Sequence, residues 1–180
     1  MTVPTGLHGA RVPVLGFVAP SGTGKTTLLH AVIRWLTSQG LRVAVVKQAR
    51  DDFDVDQPGK DSHRLRKVGV ERLLLTSSRQ SALIVEHPEC AGVPPLDELL
   101  SLLDQTALDV ILVEGFAGQP LPRIEVVRGE RPPRYYPGDP WIIALAADRL
   151  AERQATVPVL DLNDPGAVAA FVRDWLASGD

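Results

Sequence analysis

The sequence predicts an α/β fold of three layers, with a mostly parallel sheet flanked by helices. Three observations carry the prediction. A glycine-containing loop, Ala19-Pro20-Ser21-Gly22-Thr23-Gly24-Lys25-Thr26, stands between an apolar run from Val12 to Val18 and a helix-like run from Thr26 to Gln39. Further short apolar runs alternate with helical patterns along the chain, the signature of strands joined by crossover helices. Each apolar run ends in polar residues, and in such sheets ligands sit beyond the carboxyl ends of the strands. The strand–loop–helix context of the first loop makes the sheet one of the P-loop NTPase type.

The elements are expected in the following order. Val12–Val18 reads as a strand. Lys25–Gln39 reads as a helix with Leu28, Leu29, Val32, Ile33 and Leu36 on one stripe, stopped by Gly40. Arg42–Val46 is a continuous apolar run, expected as a strand buried on both faces. A polar, aspartate-rich loop covers Gln48 to Lys60. A short helix over Asp61–Val68 ends at Gly69. Arg72–Thr76 and Ala82–Val85 read as short strands around a turn at Ser77–Gln80. Pro94 and Pro95 introduce a helix over Leu96–Leu103. Val110–Val113 is a buried strand, Arg123–Val127 an edge strand, and Gly129–Pro140 a loop rich in Pro, Gly and Arg. Trp141–Ala146 and Val157–Leu160 complete the strands. Asp164 caps a final helix that starts at Pro165 and runs to Ala177.

Composition narrows the function. The 180 residues suit one domain over 12–180, preceded by a flexible tail over 1–11 that carries Pro4, Gly6 and Gly9. A net charge of -3 argues against a general nucleic-acid binder. Cys90 is the single cysteine, so neither an internal disulfide nor a thiolate metal site is expected. No apolar run approaches the ~18–20 residues that cross a bilayer, and Met1 to Pro13 lacks an apolar signal core. A cytoplasmic protein without membrane partners is expected.

The P-loop supplies the first site. Its glycines let several backbone N–H groups converge on one anion, and the helix adds its positive dipole end. Ser21, Gly22, Thr23, Gly24, Lys25, Thr26 and Thr27 are candidate phosphate-binding residues. Lys25 is placed to reach the outer phosphates and Thr26 to ligate Mg²⁺. The strand Val110–Val113 ends in Glu114-Gly115-Phe116. A carboxylate there can hold Mg²⁺ or orient an attacking water, which makes Glu114 both the catalytic and a metal candidate. Gly115 would let a ligand approach the backbone. Asp109, at the opposite end of that strand, is misplaced for this work.

Three further groups follow strand ends. In the loop after Val46, taken to leave the strand beside the P-loop strand, Asp52 or Asp54 is a candidate for another Mg²⁺ contact, with Lys47 and Arg50 offsetting phosphate charge; an acidic surface turn is the plain alternative. Lys60 and Arg64 form a basic patch for an anionic ligand or partner, while Asp61 and Ser62 also suit a helix start. His63 has no second histidine at ligand spacing. Asp148 is either a reader of guanine, whose N1–H and exocyclic amine are adjacent donors, or the cap of a short helix over Arg149–Gln154. Asp164 is read as a cap.

Several strings together resemble the MobB family of molybdopterin-guanine dinucleotide biosynthesis adaptor proteins. They are the P-loop with its double threonine, Asp52-Phe53-Asp54-Val55-Asp56-Gln57-Pro58-Gly59-Lys60-Asp61-Ser62, Val113-Glu114-Gly115-Phe116, Pro122-Arg123-Ile124-Glu125-Val126, and Pro158-Val159-Leu160-Asp161-Leu162-Asn163-Asp164. The P-loop is shared by many families; the string from Asp52 to Ser62 is far more specific. The resemblance runs from about Val12 to Trp175. It implies a GTP-binding, usually dimeric protein that assists the guanylyltransferase joining GMP to molybdopterin and hydrolyses GTP weakly if at all. GTP and Mg²⁺ are the implied cofactors, with molybdopterin or its guanine dinucleotide as a further ligand. Ala19 replaces the leading glycine of the P-loop. Gln48, Arg50 and Asp51 stand where histidines are frequent in the family, and Ala117 where a lysine is common. Two readings compete: an ATP-dependent P-loop kinase or dethiobiotin-synthetase-like ligase, whose lid would draw on Arg128, Arg131 and Arg134, and a structural partner protein with a vestigial P-loop.

Overall fold

Val14–Val18 forms β1 and Lys25–Ser38 forms α1, joined by the P-loop. They belong to a computed structural model that describes residues 6–49, 53, 55–56, 59–87, 92–149 and 155–179. The remaining elements are β2 (Val43–Lys47), α2 (Asp61–Lys67), β3 (Arg72–Thr76), β4 (Ser81–Val85), α3 (Leu96–Ser101), β5 (Val110–Glu114), β6 (Arg123–Val127), β7 (Ile142–Ala147), β8 (Val159–Asp161) and α4 (Pro165–Ser178). The chain divides into two compact units, 1–48 with 95–180, and 49–94, where composition alone suggests one.

The first unit holds a six-stranded sheet in the order β2-β5-β1-β6-β7-β8, in which every pairing is parallel. Alternation along the strands sends side chains to two faces. Leu15, Phe17, Val110, Leu112, Ile124 and Val126 pack with α1 and α4, which present Leu28, Val32, Leu36, Val168 and Val172. Val14, Ile111 and Val113 pack with Leu96 and Leu100 of α3 on the other face. Farther along the sheet, Val18, Val127 and Leu145 are covered by Tyr135 and Tyr136 of the 129–140 loop. The three layers are those the pattern predicts.

Four expectations change. β2 is an edge strand and only half-buried, because among the described residues no strand pairs with its outer side; it is not buried on both faces. It is not adjacent to β1 either, since β5 lies between them. β6 is not an edge strand. It runs between β1 and β7 with all five residues buried. Its charged residues mimic a solvated edge in the sequence, but Arg123 pairs with Asp139 at 2.7 Å, and the Glu125 carboxylate accepts hydrogen bonds from the backbone N–H groups of Arg134, Tyr135 and Tyr136. Two buried charges thus tie the 129–140 loop to the sheet. Gly16 of β1 makes room for the arginine: a Cβ there would lie 2.6 Å from Arg123 Cγ.

The fourth change concerns the expected tail, of which residues 1–5 lie outside the described residues. Leu7 is buried with α3. Gly9 N–H donates to Asp97 Oδ1 at 3.0 Å and Arg11 N–H to Gln105 Oε1 at 2.7 Å. Residues 7–11 are therefore docked by specific bonds rather than loose.

In the second unit, α2 ends at Gly69, whose φ of 97° suits only glycine well. β3 and β4 form an antiparallel hairpin from Arg72↔Val85 to Thr76↔Ser81, closed where Ser77 N–H donates to Gln80 O at 2.9 Å. Leu74 and Leu83 are direct partners on its exposed side.

Candidate nucleotide site

The site begins with backbone shape. Gly22 and Gly24 hold φ of 75° and 91°, left-handed values that fold the loop back before α1. The Thr23 hydroxyl donates to Pro20 O at 2.7 Å and braces the turn. Gly24 is the N-cap of α1 and contributes no side-chain cap, so the first turn offers its N–H groups to an anion. Leu28, Leu29, Val32 and Leu36 bury the far side of α1 and hold its N-terminus against the carboxyl edge of the sheet.

Register then brings the chemistry together. Phe17 of β1 and Lys47 of β2 are both partners of Glu114 on β5. Glu114 shares its face with Val110 and Leu112, and this is the face covered by α1. Its Oε1 accepts from Lys25 Nζ at 3.0 Å and from Thr26 Oγ1 at 2.8 Å, while Lys47 Nζ lies 3.2 Å from Oε2. Glu114 is 6% exposed. Burial pushes its carboxyl up, but the bonds from Lys25 and Thr26, the Lys25 charge and the bond from Lys47 together outweigh this and hold it below its ordinary range. The carboxylate is ionised at neutral pH.

Lys25, Thr26 and Glu114 are therefore one cluster at the mouth of the P-loop, as their strand-end and loop positions predict. Asp109 sits at the opposite end of β5, where it binds Arg42 through both side-chain oxygens at 3.0 and 2.8 Å. The Thr26 hydroxyl and the Glu114 carboxylate, 2.8 Å apart, are hard oxygen donors of the kind Mg²⁺ uses alongside phosphate and water. Among the described residues no group of three or more His, Cys, Asp or Glu side chains is placed to hold a metal by itself. Asp52, Asp54, Arg50 and Asp51 lie outside the described residues, as does Cys90.

Gly115 is approached by Gln48, whose Cβ would lie 2.9 Å from a Cβ added at that glycine. Gly115 holds φ of 100° and Phe116 holds 53°, a rare value for a bulky residue. Gln48 Oε1 accepts from Phe116 N–H at 3.0 Å and stabilises this turn. Gln48 and Lys47 are thus structural neighbours of the Glu114–Phe116 turn. The sequence marks Lys47 as a charge for phosphate; the parallel register pairs it with Glu114, and the place of Gln48 appears only in the fold.

Asp148 follows β7 at the same edge. Its Oδ1 accepts from Gly129 N–H at 2.7 Å, so one carboxylate oxygen holds the loop that follows β6. Residues 150–154, where a helix capped by Asp148 was the alternative, lie outside the described residues. Asp164 caps α4 as expected, accepting from Ala167 N–H at 3.1 Å. Lys60 and Arg64 belong to the second unit. Both are exposed, and Arg64 lies 3.8 Å from Asp61.

Arg128, named in the sequence only for the lid of the competing kinase or ligase reading, contacts the P-loop. Its Nε donates to Thr23 O at 2.9 Å, and its guanidinium would lie 3.1 Å from a Cβ added at Gly24. An arginine from the end of β6 therefore lies against the P-loop. Among the described residues no helix is long and apolar enough to cross a membrane.

A family model described as "MobB: Molybdopterin guanine dinucleotide synthesis protein B" matches residues 14–148. A molybdopterin-guanine dinucleotide biosynthesis adapter protein of Escherichia coli (strain K12) is 40% identical over 92% of this chain and 94% of its own length. Its counterpart in Haemophilus influenzae (strain ATCC 51907 / DSM 11121 / KW20 / Rd) is 34% identical over 92% of this chain and 90% of its own. A crystal structure of a MobB protein homolog from Bacillus stearothermophilus shares the fold, with a TM-score of 0.69 at 22% identity over 92% of this chain and 98% of that one. On this match and these identities the chain belongs to the MobB family, molybdopterin guanine dinucleotide synthesis protein B.

Proposed function

We propose that this chain acts in molybdopterin-guanine dinucleotide biosynthesis as an adaptor that binds GTP·Mg²⁺ and assists the guanylyltransferase. The observation that carries the nucleotide reading is the convergence of Lys25 Nζ and Thr26 Oγ1 on the buried Glu114 carboxylate at the P-loop mouth. In this reading the backbone of Ser21, Gly22, Thr23 and Gly24 wraps the phosphates, aided by Thr27 at the helix start. Lys25 turns from Glu114 to a phosphate oxygen, and Lys47 remains to balance Glu114. Thr26 and Glu114 hold Mg²⁺. When bound, the ion neutralises phosphate charge. Glu114 orients water near the outer phosphate, supporting weak hydrolysis at most.

Asp148 reads guanine through both oxygens: Oδ2 accepts from one of the adjacent N1–H and amine donors, and Oδ1, which keeps a second lone pair beside the Gly129 N–H, accepts from the other. Lys60 and Arg64 meet the pterin phosphate of molybdopterin, its guanine dinucleotide or the partner enzyme. The protein is read as a cytoplasmic homodimer. Its two-fold contact does not run through β6, which is interior.

Calorimetric titration with GTP and with ATP, each with Mg²⁺, tests this reading. Preference for GTP is expected. Preference for ATP would favour the kinase or ligase reading, and silence with both would mean a vestigial P-loop.

A further inference from the structure

On the β6 side of the P-loop lies a cavity of about 290 Å³, lined by Ser21, Gly22 and Thr23 and by three arginines, Arg128, Arg131 and Arg134. None of Lys25, Thr26 and Glu114 lines it. Among the described residues no carboxylate lies within ion-pair distance of any of the three guanidinium groups. Glu125 also borders the cavity, but it is 1% exposed and its two oxygens are occupied by the N–H groups of Arg134, Tyr135 and Tyr136. Its charge anchors the loop and does not reach the guanidinium groups as a partner.

We infer that this cavity is a second anion site, for a phosphate monoester bound beside the nucleotide and not in its place. Three guanidinium groups without carboxylate partners among the described residues supply charge and directed donors matched to phosphate oxygens. The site is built before ligand arrives. Arg123–Asp139 and Glu125 tie the carrying loop to the sheet, Asp148 holds its first residue through Gly129 N–H, and Arg128 is already bonded to Thr23 O. Sharing Ser21–Thr23 with the nucleotide loop sets the second phosphate next to the nucleotide's phosphate chain. Such an arrangement suits a protein that presents a nucleotide and a phosphorylated partner molecule to one another. The inference concerns the neighbour of the site proposed above, and it assigns that neighbour's ligand class.

The test uses the full chain and phenyl phosphate as probe, titrated calorimetrically with and without saturating GDP·Mg²⁺. Wild type is expected to bind phenyl phosphate in both conditions. Arg131→Ala/Arg134→Ala, a change of two exposed residues, is expected to lose at least ~10-fold in probe affinity while GDP affinity stays within about twofold. Lys25→Ala is expected to lose GDP and keep the probe. Probe binding without any GDP binding would refute the nucleotide reading and leave the anion site standing. Loss of probe binding when GDP is present would mean that the guanidinium groups serve the nucleotide's own phosphates, and would overturn the inference. So would an unchanged probe affinity in the double variant, or no probe binding by wild type.

Discussion

Lys47 and Glu114 are direct register partners at the carboxyl edges of β2 and β5, and their side chains meet at 3.2 Å. Glu114 therefore receives two lysines, one from the P-loop helix and one from the sheet edge. Were Lys25 to turn to a phosphate as proposed above, the buried carboxylate would keep a cation in Lys47.

Replacing Lys47 by Met removes one of the groups that hold the Glu114 carboxyl down, while burial continues to push it up. The Glu114 titration is expected to move to higher pH in Lys47→Met. Carbon-13 NMR of the side-chain carboxyl follows this directly, and an unmoved midpoint would show that Lys47 is a bystander.

Asp139→Ala leaves Arg123 buried, at 2% exposure, without its carboxylate. Breaking such a pair costs about 3–5 kcal/mol. Urea unfolding is expected to show a loss of that order, and the cavity arginines on the same loop lose their support.

Gly16→Ala tests the crossing of β1 by Arg123. The added methyl meets Arg123 Cγ at 2.6 Å, closer than packed carbons tolerate. Overpacking of this kind costs about 1–3 kcal/mol, read as a lower urea midpoint with the slope unchanged.

Asp109 supplies a pH test of stability. Its bonds to the Arg42 side chain and backbone hold its carboxyl down to about 2, against an ordinary 3.8. A carboxyl depressed by folding stabilises fully above its ordinary value and loses that contribution as pH falls toward 2. The stability gap between wild type and Asp109→Asn is expected to be present at pH 6, small because the pair is partly exposed, and to close on acidification. A gap that persists at pH 2 would contradict the assignment.

The P-loop, the strand ends and the helix caps are local patterns, and the sequence displays them: glycine spacing, an apolar stripe on α1, Asp164 before Pro165. Strand order is not local. β2 follows α1 in the chain yet occupies the sheet edge, because β5 inserts between it and β1. Lys47 and Gln48 gain their roles from that insertion. β6 misleads for a related reason: Arg123 and Glu125 look like solvent-facing residues until Asp139 and three backbone N–H groups, 9 to 16 residues away in the chain, satisfy them in the interior. Arg128 lies 105 residues from Thr23, and no short motif records a contact at that distance.

The central claim is that Lys25, Thr26 and Glu114 form a nucleotide–magnesium site. Calorimetric titration of wild type and Lys25→Ala with GTP and Mg²⁺ tests it most directly. Wild type is expected to bind and the variant to lose at least ~10-fold in affinity, as removal of a charged phosphate contact requires. Full GTP affinity in Lys25→Ala would contradict it.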